Sequence, residues 1–156
     1  MTVNWPTVDL DGVRRLHVMA AAIRGASVTE RIIAAPFEHV WPLLTDLEDG
    51  FGKVLPDMRH VRLDWREGDG VHEGGRVEAL ARSRYGMRAR LRGEVSLGWC
   101  WLQSRFLIIG VAARAEGAGT RVAITGGVRL PGRAAVVPVG AKREASRALD
   151  RLQQLV

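Results

Sequence analysis

The stretch RAAVVPVGAKREASRALDRLQQLV, residues 133–156, decides how the rest of the chain is interpreted. Its apolar residues recur at helical spacing on one side, and charged or amide residues occupy the other. The apolar side holds Ala134, Val137, Ala141, Ala145, Ala148, Leu149, Leu152 and Leu155. This pattern predicts an amphipathic helix from near Arg133, about 23 residues and about 35 Å long at 1.5 Å per residue. Pro138 and Gly140 are expected either to bend this helix or to delay its start.

Upstream of this helix, residues 57–130 form short segments separated by turns that contain glycine. Several strands without a long helix between them predict an antiparallel meander of about six strands. A further strand is expected at residues 27–34, followed by a helix that opens at Pro36 and a short second helix. The predicted architecture is therefore α+β, with about seven antiparallel strands and the long helix packed across them.

The first 26 residues are interpreted as an N-terminal extension, and residues 27–156 as the main domain. Within the extension, Val13, Leu16, Ala20 and Ile23 recur at helical spacing. Either Asp9 or Asp11 is a suitable cap for this helix, and Gly25 is a suitable end.

The composition excludes several classes of protein. The 156 residues are 47% hydrophobic and 26% charged, as in an ordinary single globular domain. The single cysteine, Cys100, excludes an internal disulfide framework, and no Cys/His spacing is typical of zinc, so neither a metal nor a cofactor is expected. No apolar run approaches the roughly 20 residues of a membrane span, and a cytoplasmic protein is expected.

The formal charge of +6 invites the hypothesis of an anionic partner. Arginine, however, outnumbers lysine 21 to 2, a skew that GC-rich coding produces by itself. Ordinary solvated surface charge is therefore favoured over a nucleic-acid partner. The oligomeric state is left open.

Five short motifs, taken in order, resemble a known superfamily. They are IAAPFEHVW at residues 33–41, PDM at 56–58, EGGRV at 73–77, GTRV at 119–122 and ALDRL at 148–152. Together with the order of elements, they resemble the START-like (SRPBCC) superfamily of polyketide cyclases/dehydrases and lipid-transport proteins, over residues 27–155. The N-terminal extension lies outside this resemblance.

The resemblance implies a helix-grip fold, in which a curved sheet wraps around the C-terminal helix and encloses a cavity. It implies binding or transport of an apolar small molecule, such as a lipid or a polyketide. The same cavity would serve a polyketide cyclase, aromatase or dehydratase, so enzymatic activity is left open. The superfamily has no shared catalytic motif, and no catalytic residue is transferred to this chain. A third hypothesis is an interaction module that uses an arginine-rich outer sheet face.

The hairpin around Gly86 supplies most candidate site residues. A three-residue loop at residues 85–87 would place Arg82 opposite Arg90 and Leu80 opposite Arg92 on one face. Carboxylates such as Glu78 and Glu94 are expected to neutralise the opposed arginines. The other face carries small side chains toward the C-terminal helix, and these permit either close packing or a cavity. The predicted cavity lining is Ala79, Ala81, Ser83, Tyr85, Met87, Ala89, Leu91, Trp99, Trp101, Arg105, Ala141 and Ala148.

The orientation of the tryptophan strand is not determined by its pattern. Trp99 and Trp101 share one face, and the opposite face, which includes Cys100 and Leu102, is also largely apolar. The indole rings either line the cavity or pack as ordinary core. If they point inward, Arg105 is placed to bind a ligand carboxylate. The candidate proton carriers for an enzyme are His60, His72, Asp57, Asp64, Tyr85 and Glu144.

Overall fold

A computed structural model of the chain describes residues 10–54, 59–66, 75–82, 86–129, 136–137 and 141–156. Of these, residues 59–60, 63–66, 129, 136–137 and 141 are described by their backbone alone. In chain order the elements are α1 (Gly12–Ala21), β1 (Val28–Ile33), α2 (Phe37–Thr45), α3 (Gly50–Val54), β2 (Arg59–Arg66), β3 (Gly75–Arg82), β4 (Arg88–Ser96), β5 (Trp99–Gln103), β6 (Leu107–Glu116), β7 (Gly119–Arg129), β8 (Val136–Val137) and α4 (Ala141–Leu155).

The strands form one curved antiparallel sheet in the order β1-β7-β6-β5-β4-β3-β2. The two-residue β8 pairs with the end of β7, beyond the part of β7 that pairs with β1. This arrangement of a curved sheet, a C-terminal helix and an N-terminal helix confirms the predicted α+β helix-grip fold.

Both faces of the sheet bury apolar side chains. The inner face packs in one cluster with buried residues of α2, α3 and α4. Within this cluster, α4 lies closest to β1, β7 and α3. The outer face packs in a second, smaller cluster with Val13 and Leu16 of α1. The sheet is thus the middle layer of three. Helices α2, α3 and α4 cover its inner face, and helix α1 covers its outer face.

The C-terminal helix is shorter than predicted. It begins at Ala141 and has 15 residues, about 22 Å at 1.5 Å per residue. Val137 lies in β8 rather than in the helix, and Ala134 lies outside the described residues. Of the two effects expected from Pro138 and Gly140, a delayed start matches the structure. Ala145, Ala148, Leu149 and Leu152 are buried in the inner cluster, whereas Leu155 at the end is 44% exposed.

The β3–β4 hairpin differs from the prediction by two residues in register. Arg82 pairs with Arg88, Leu80 with Arg90 and Glu78 with Arg92, whereas the predicted loop would have paired Arg82 with Arg90 and Leu80 with Arg92. Because side chains alternate with a period of two, a shift by an even number leaves each one on its predicted face.

Helix α1 is held at its start by Asp11. Its side chain accepts a hydrogen bond from the Arg14 backbone N–H (3.0 Å), which makes it the N-cap, as the sequence suggested. Its other oxygen accepts from Arg114 of β6 (2.9 Å). One carboxylate therefore both caps the helix and fixes it to the sheet.

Two glycines allow α1 to lie close to the sheet. A Cβ atom at Gly110 would lie 2.6 Å from Leu16 Cδ1, and one at Gly12 would lie 2.2 Å from the Gly98 carbonyl oxygen. Neither contact is possible for real atoms without displacement. The absence of a side chain at Gly12 consequently lets the start of α1 approach the backbone of the β4–β5 turn, and its absence at Gly110 leaves room for the Leu16 side chain on the sheet.

We predict that Asp11→Ala lowers the free energy of unfolding by about 1 kcal/mol, as is typical for loss of an N-cap. Asp11→Asn is the matched control, since it keeps the cap acceptor and removes only the charge opposite Arg114. Asp11→Asn should lose less free energy of unfolding than Asp11→Ala, because a partly exposed ion pair contributes little. Urea unfolding at neutral pH, followed by circular dichroism, measures both.

The effect of Asp11→Ala should also depend on pH. Partial burial raises the pKa of the Asp11 carboxyl, but hydrogen bonds from the Arg14 backbone N–H and from Arg114 outweigh it, and the pKa lies below its ordinary 3.8. The stabilisation is therefore present above that value and is lost as the pH falls through the lower folded value. The free energies of unfolding of wild type and Asp11→Ala should therefore differ less at about pH 2 than at neutral pH. If they differ by the same amount at both pH values, this account is wrong.

Candidate functional site on the inner face of the sheet

The small side chains of β3 lie on the inner face, as predicted. Ala79 and Ala81 are buried in the same cluster as Ala145 and Ala148 of α4. Leu91 of β4, which pairs with Ala79, is fully buried beside them. Candidate residues from two strands and from the C-terminal helix thus belong to one buried cluster, within which α4 packs on β1 and β7.

The remaining hairpin candidates are distributed differently. Ala89 pairs with Ala81 and is half-buried. Met87 is 66% exposed, next to the connection between β3 and β4, and does not belong to the inner cluster. Ser83 and Tyr85 lie outside the described residues, and Ala141 begins α4 but is described by its backbone alone.

Trp99 and Trp101 lie on the outer face, which corrects their placement as cavity-lining residues. Their rings stack on each other with centroids 6.1 Å apart and pack in the cluster that contains α1. On the same strand, Cys100 and Leu102 point to the inner face and are fully buried. The physical reason is that α1 provides an apolar cover for the outer face.

The outer placement of Trp99 is fixed by two polar neighbours. Its Nε1 donates a hydrogen bond to Glu94 Oε1 (2.8 Å), and the Arg15 guanidinium lies 4.1 Å from the centre of its ring. Arg15 also donates to Glu94 at 2.6 Å. The indole is therefore satisfied on the α1 side of the sheet.

Arg105 is not a ligand anchor of the inner face. The condition for that role was an inward tryptophan face, and Arg105 lies exposed in the turn between β5 and β6. Its guanidinium is 5.7 Å from the centre of the Phe106 ring.

Of the two carboxylates expected to neutralise the opposed arginines, Glu78 does so for two arginines of β4, whereas Glu94 pairs with an arginine of α1. Glu78 accepts hydrogen bonds from Arg90 (2.6 Å) and Arg92 (3.1 Å), and Glu94 is the partner of Arg15. Glu78 is the more enclosed of the two carboxylates.

The candidate proton carriers are not assembled by the described part of the structure. Glu144 of α4 accepts a hydrogen bond from Arg147 (3.1 Å), an ordinary pair on the flank of the helix. His60 and Asp64 are described only by backbone, and Asp57, His72 and Tyr85 lie outside the described residues. Among the described residues, no group of three or more His, Cys, Asp or Glu side chains is placed to hold a metal ion.

Sequence reasoning missed the role of Trp41 in α2. Trp41 is 1% exposed, belongs to the inner cluster and stacks on Phe37 with centroids 5.9 Å apart. Its Nε1 is buried and has no hydrogen-bond partner. A buried donor without an acceptor costs about 1–3 kcal/mol. The available signal was chemical: a tryptophan on the core face of a helix needs a partner for its N–H.

Trp41 also borders a groove of about 690 Å³ at one end of the sheet. The groove lies between the start of α1, helix α2, the β4–β5 turn and the end of β6. It is lined by Asp11, Gly12, Phe37, Glu38, Trp41, Pro42, Leu97, Gly98, Ala113, Arg114 and Ala115. Helix α2 therefore separates the inner cluster from an open, largely apolar groove beside α1.

No described helix is long and apolar enough to cross a membrane. No family model and no curated protein matches the chain. Solved structures do match it. The 18 kDa protein CC1736 from Caulobacter crescentus has a TM-score of 0.63 at 15% identity over 83% of this chain and 93% of its own.

Two further solved structures are similar in the same way. TTHA0849 from Thermus thermophilus has a TM-score of 0.53 at 22% identity, and Ara h 8.0201 has a TM-score of 0.52 at 12% identity. Each comparison covers 83% of this chain and 95% of the other. At such identities the likeness shows the fold alone. The chain accordingly has the helix-grip fold that its sequence predicts.

Proposed function

We propose that the protein binds an apolar small molecule, bearing one hydrogen-bond acceptor, on the inner face between the sheet and α4. The observation that carries this proposal is the unpartnered Nε1 of Trp41 within the inner cluster. A carbonyl, hydroxyl or carboxylate oxygen of a ligand would accept from this donor and offset the cost of burying it.

The composition of the inner cluster, to which Trp41 belongs, determines the proposed class of ligand. The inner face is formed by aliphatic and small side chains, including Ala79 and Ala81. Affinity would come mainly from apolar surface removed from water, at about 25 cal/mol per Å², with a few polar groups to orient the ligand. A lipid-like or polyketide-like molecule with a single oxygen function near one end fits these requirements.

Binding requires a movement of α2 and α3. Trp41 Nε1 is closed off from solvent, so an acceptor reaches it only if the neighbouring elements shift. Helix α3 is short, has five residues and contacts α2, β2 and α4, which makes it the natural element to open.

The buried polar side chains that the structure describes are engaged in holding the fold together. Among the described residues, the buried polar ones are Thr45, Thr120 and Thr125. Each donates its hydroxyl hydrogen to a backbone carbonyl: Trp41, Ala35 and Ser27, respectively. Threonine is not a tunable proton carrier near neutral pH, so these groups do not provide acid–base chemistry.

We predict that Ala81→Leu lowers ligand uptake more than it lowers stability. If the inner face has room for a guest, the larger side chain takes up that room, and the midpoint of thermal unfolding changes little. In a tightly filled interior, the same substitution would cost about 1–3 kcal/mol through overpacking. Native mass spectrometry of gently purified protein measures retained apolar ligand, and calorimetry measures unfolding.

Ala118→Leu, in the exposed β6–β7 turn, is the matched control. Strong destabilisation by Ala81→Leu, with no apolar ligand on wild type, would contradict the proposal.

We also predict that Trp41→Phe selectively weakens ligands that carry an acceptor. Affinity for a long-chain ketone should fall about fivefold to tenfold, which corresponds to about 1 kcal/mol for one hydrogen bond, whereas affinity for the matching hydrocarbon should be nearly unchanged. Titration calorimetry with both probes measures the difference.

Trp99→Phe is the matched control for this variant. It makes the same chemical change on the outer face, where the indole N–H already donates to Glu94. It is expected to lower stability and to leave both affinities unchanged. An equal loss for ketone and hydrocarbon in Trp41→Phe would show that Trp41 contributes packing alone.

A further inference from the structure

The outer face of the sheet is covered unequally. Helix α1 packs over the part formed by β5, β6 and β7, where the buried outer cluster lies. Toward β3 and β4 the outer positions carry arginines. The arginine patch consists of Arg82, Arg88, Arg90, Arg92 and Arg105, and each of these side chains is exposed.

The arginine patch is a dense row of positive charge. Arg88, Arg90 and Arg92 alternate along β4, so their side chains project from one face about 7 Å apart. Arg82 lies directly opposite Arg88 in the neighbouring strand, a pairing of like charges that is unfavourable in a sheet. Glu78 pairs with Arg90 and Arg92 and balances one of these charges. Among the residues whose side chains the structure describes, the patch therefore holds more arginines than carboxylates.

The patch contains a depression that suits an anionic group. Its volume is about 360 Å³, and its lining is Arg90, Arg92, Gln103, Ser104 and Arg105. Three arginines, a glutamine and a serine border it, from β4 and from the end of β5 and the turn that follows. Guanidinium groups bind phosphate oxygens with two parallel hydrogen bonds, which favours a phosphate over a simple diffuse counter-ion.

A large apolar side chain projects beside this depression. Phe106 is 51% exposed, although an exposed phenyl ring is unfavourable in water. Its turn is held by Ser104, whose Oγ accepts from the Phe106 and Leu107 backbone N–H groups at 3.2 and 3.0 Å. The ring is thus held out by an ordered turn. Met87, also exposed, lies just before β4 at the same end of the sheet.

We propose that this end of the outer face docks on an anionic phospholipid surface. Head-group phosphates would occupy the depression between Arg90, Arg92 and Arg105, and Phe106 would enter the interfacial layer. Basic residues combined with protruding apolar ones are typical of peripheral membrane binding. A nucleic-acid backbone would satisfy the arginines but would not provide an apolar layer for the exposed Phe106 ring. This surface is separate from the inner-face site and does not depend on it.

Flotation with large unilamellar vesicles tests the proposal. Wild type should bind vesicles that contain phosphatidylglycerol, should not bind pure phosphatidylcholine, and should bind progressively less as salt is raised. The variant Arg88→Gln/Arg105→Gln should bind about 25-fold more weakly, since one basic residue near an anionic surface contributes about fivefold. Arg24→Gln/Arg143→Gln removes the same net charge from exposed positions elsewhere and should lose far less.

Phe106→Ser tests the apolar part of the surface. This substitution should weaken vesicle binding severalfold without changing the charge. Leu97→Ser is the control, since Leu97 is similarly exposed but lies at the opposite end of β4, and it should leave vesicle binding unchanged. The proposal would be overturned if Arg88→Gln/Arg105→Gln and Arg24→Gln/Arg143→Gln lost vesicle binding to the same extent. Equal binding to both kinds of vesicle, or tighter binding to a single-stranded oligonucleotide than to phosphatidylglycerol, would overturn it as well. Trp41→Phe should leave vesicle binding unchanged, so failure of the inner-face proposal is distinguishable from failure of this one.

Discussion

The structure depends on covering a central strand that is apolar on both faces. Trp99, Cys100, Trp101 and Leu102 of β5 are all buried, and they alternate between the outer and inner clusters. A strand of this kind is stable only as the middle of three layers, since either face left in water would expose a large apolar area. Helix α1 supplies the outer layer, and α2, α3 and α4 supply the inner one.

This requirement explains several features near α1. Gly12 and Gly110 lack side chains where the helix approaches the sheet, so that Leu16 can pack on the tryptophan pair. Asp11 ties the start of the helix to Arg114, and Glu30 of β1 accepts hydrogen bonds from His17 and from Arg121. The His17 hydrogen bond is the main cause that lowers the pKa of Glu30, with Arg121 adding to it and partial burial opposing it. The N-terminal helix is therefore anchored along its length.

Patterns with a single physical explanation were read correctly from the sequence. The amphipathic face of α4 and the inward alanines of β3 each follow from local spacing and side-chain chemistry. For the cap of α1 the sequence offered Asp9 or Asp11, and the structure shows Asp11. The orientation of β5 could not be predicted, because both of its faces are apolar and the choice depends on where α1 packs. The hairpin register could not be predicted either, since loops that differ by two residues place the same side chains on the same faces. The start of α4 was ambiguous because proline both kinks helices and begins them.

The role of Trp41 shows a different limit of sequence reasoning. Periodicity treats an indole as a hydrocarbon and does not account for its N–H. The missing information is the position of acceptors on other elements, which only the three-dimensional arrangement gives. In that arrangement α2 borders both the inner cluster and the groove beside Asp11 and Arg114. Trp41 belongs to the inner cluster, and Trp41 and Phe37 both line the groove. Any shift of α2 that brings an acceptor to Trp41 therefore changes the shape of that groove as well, because the same two rings form part of both.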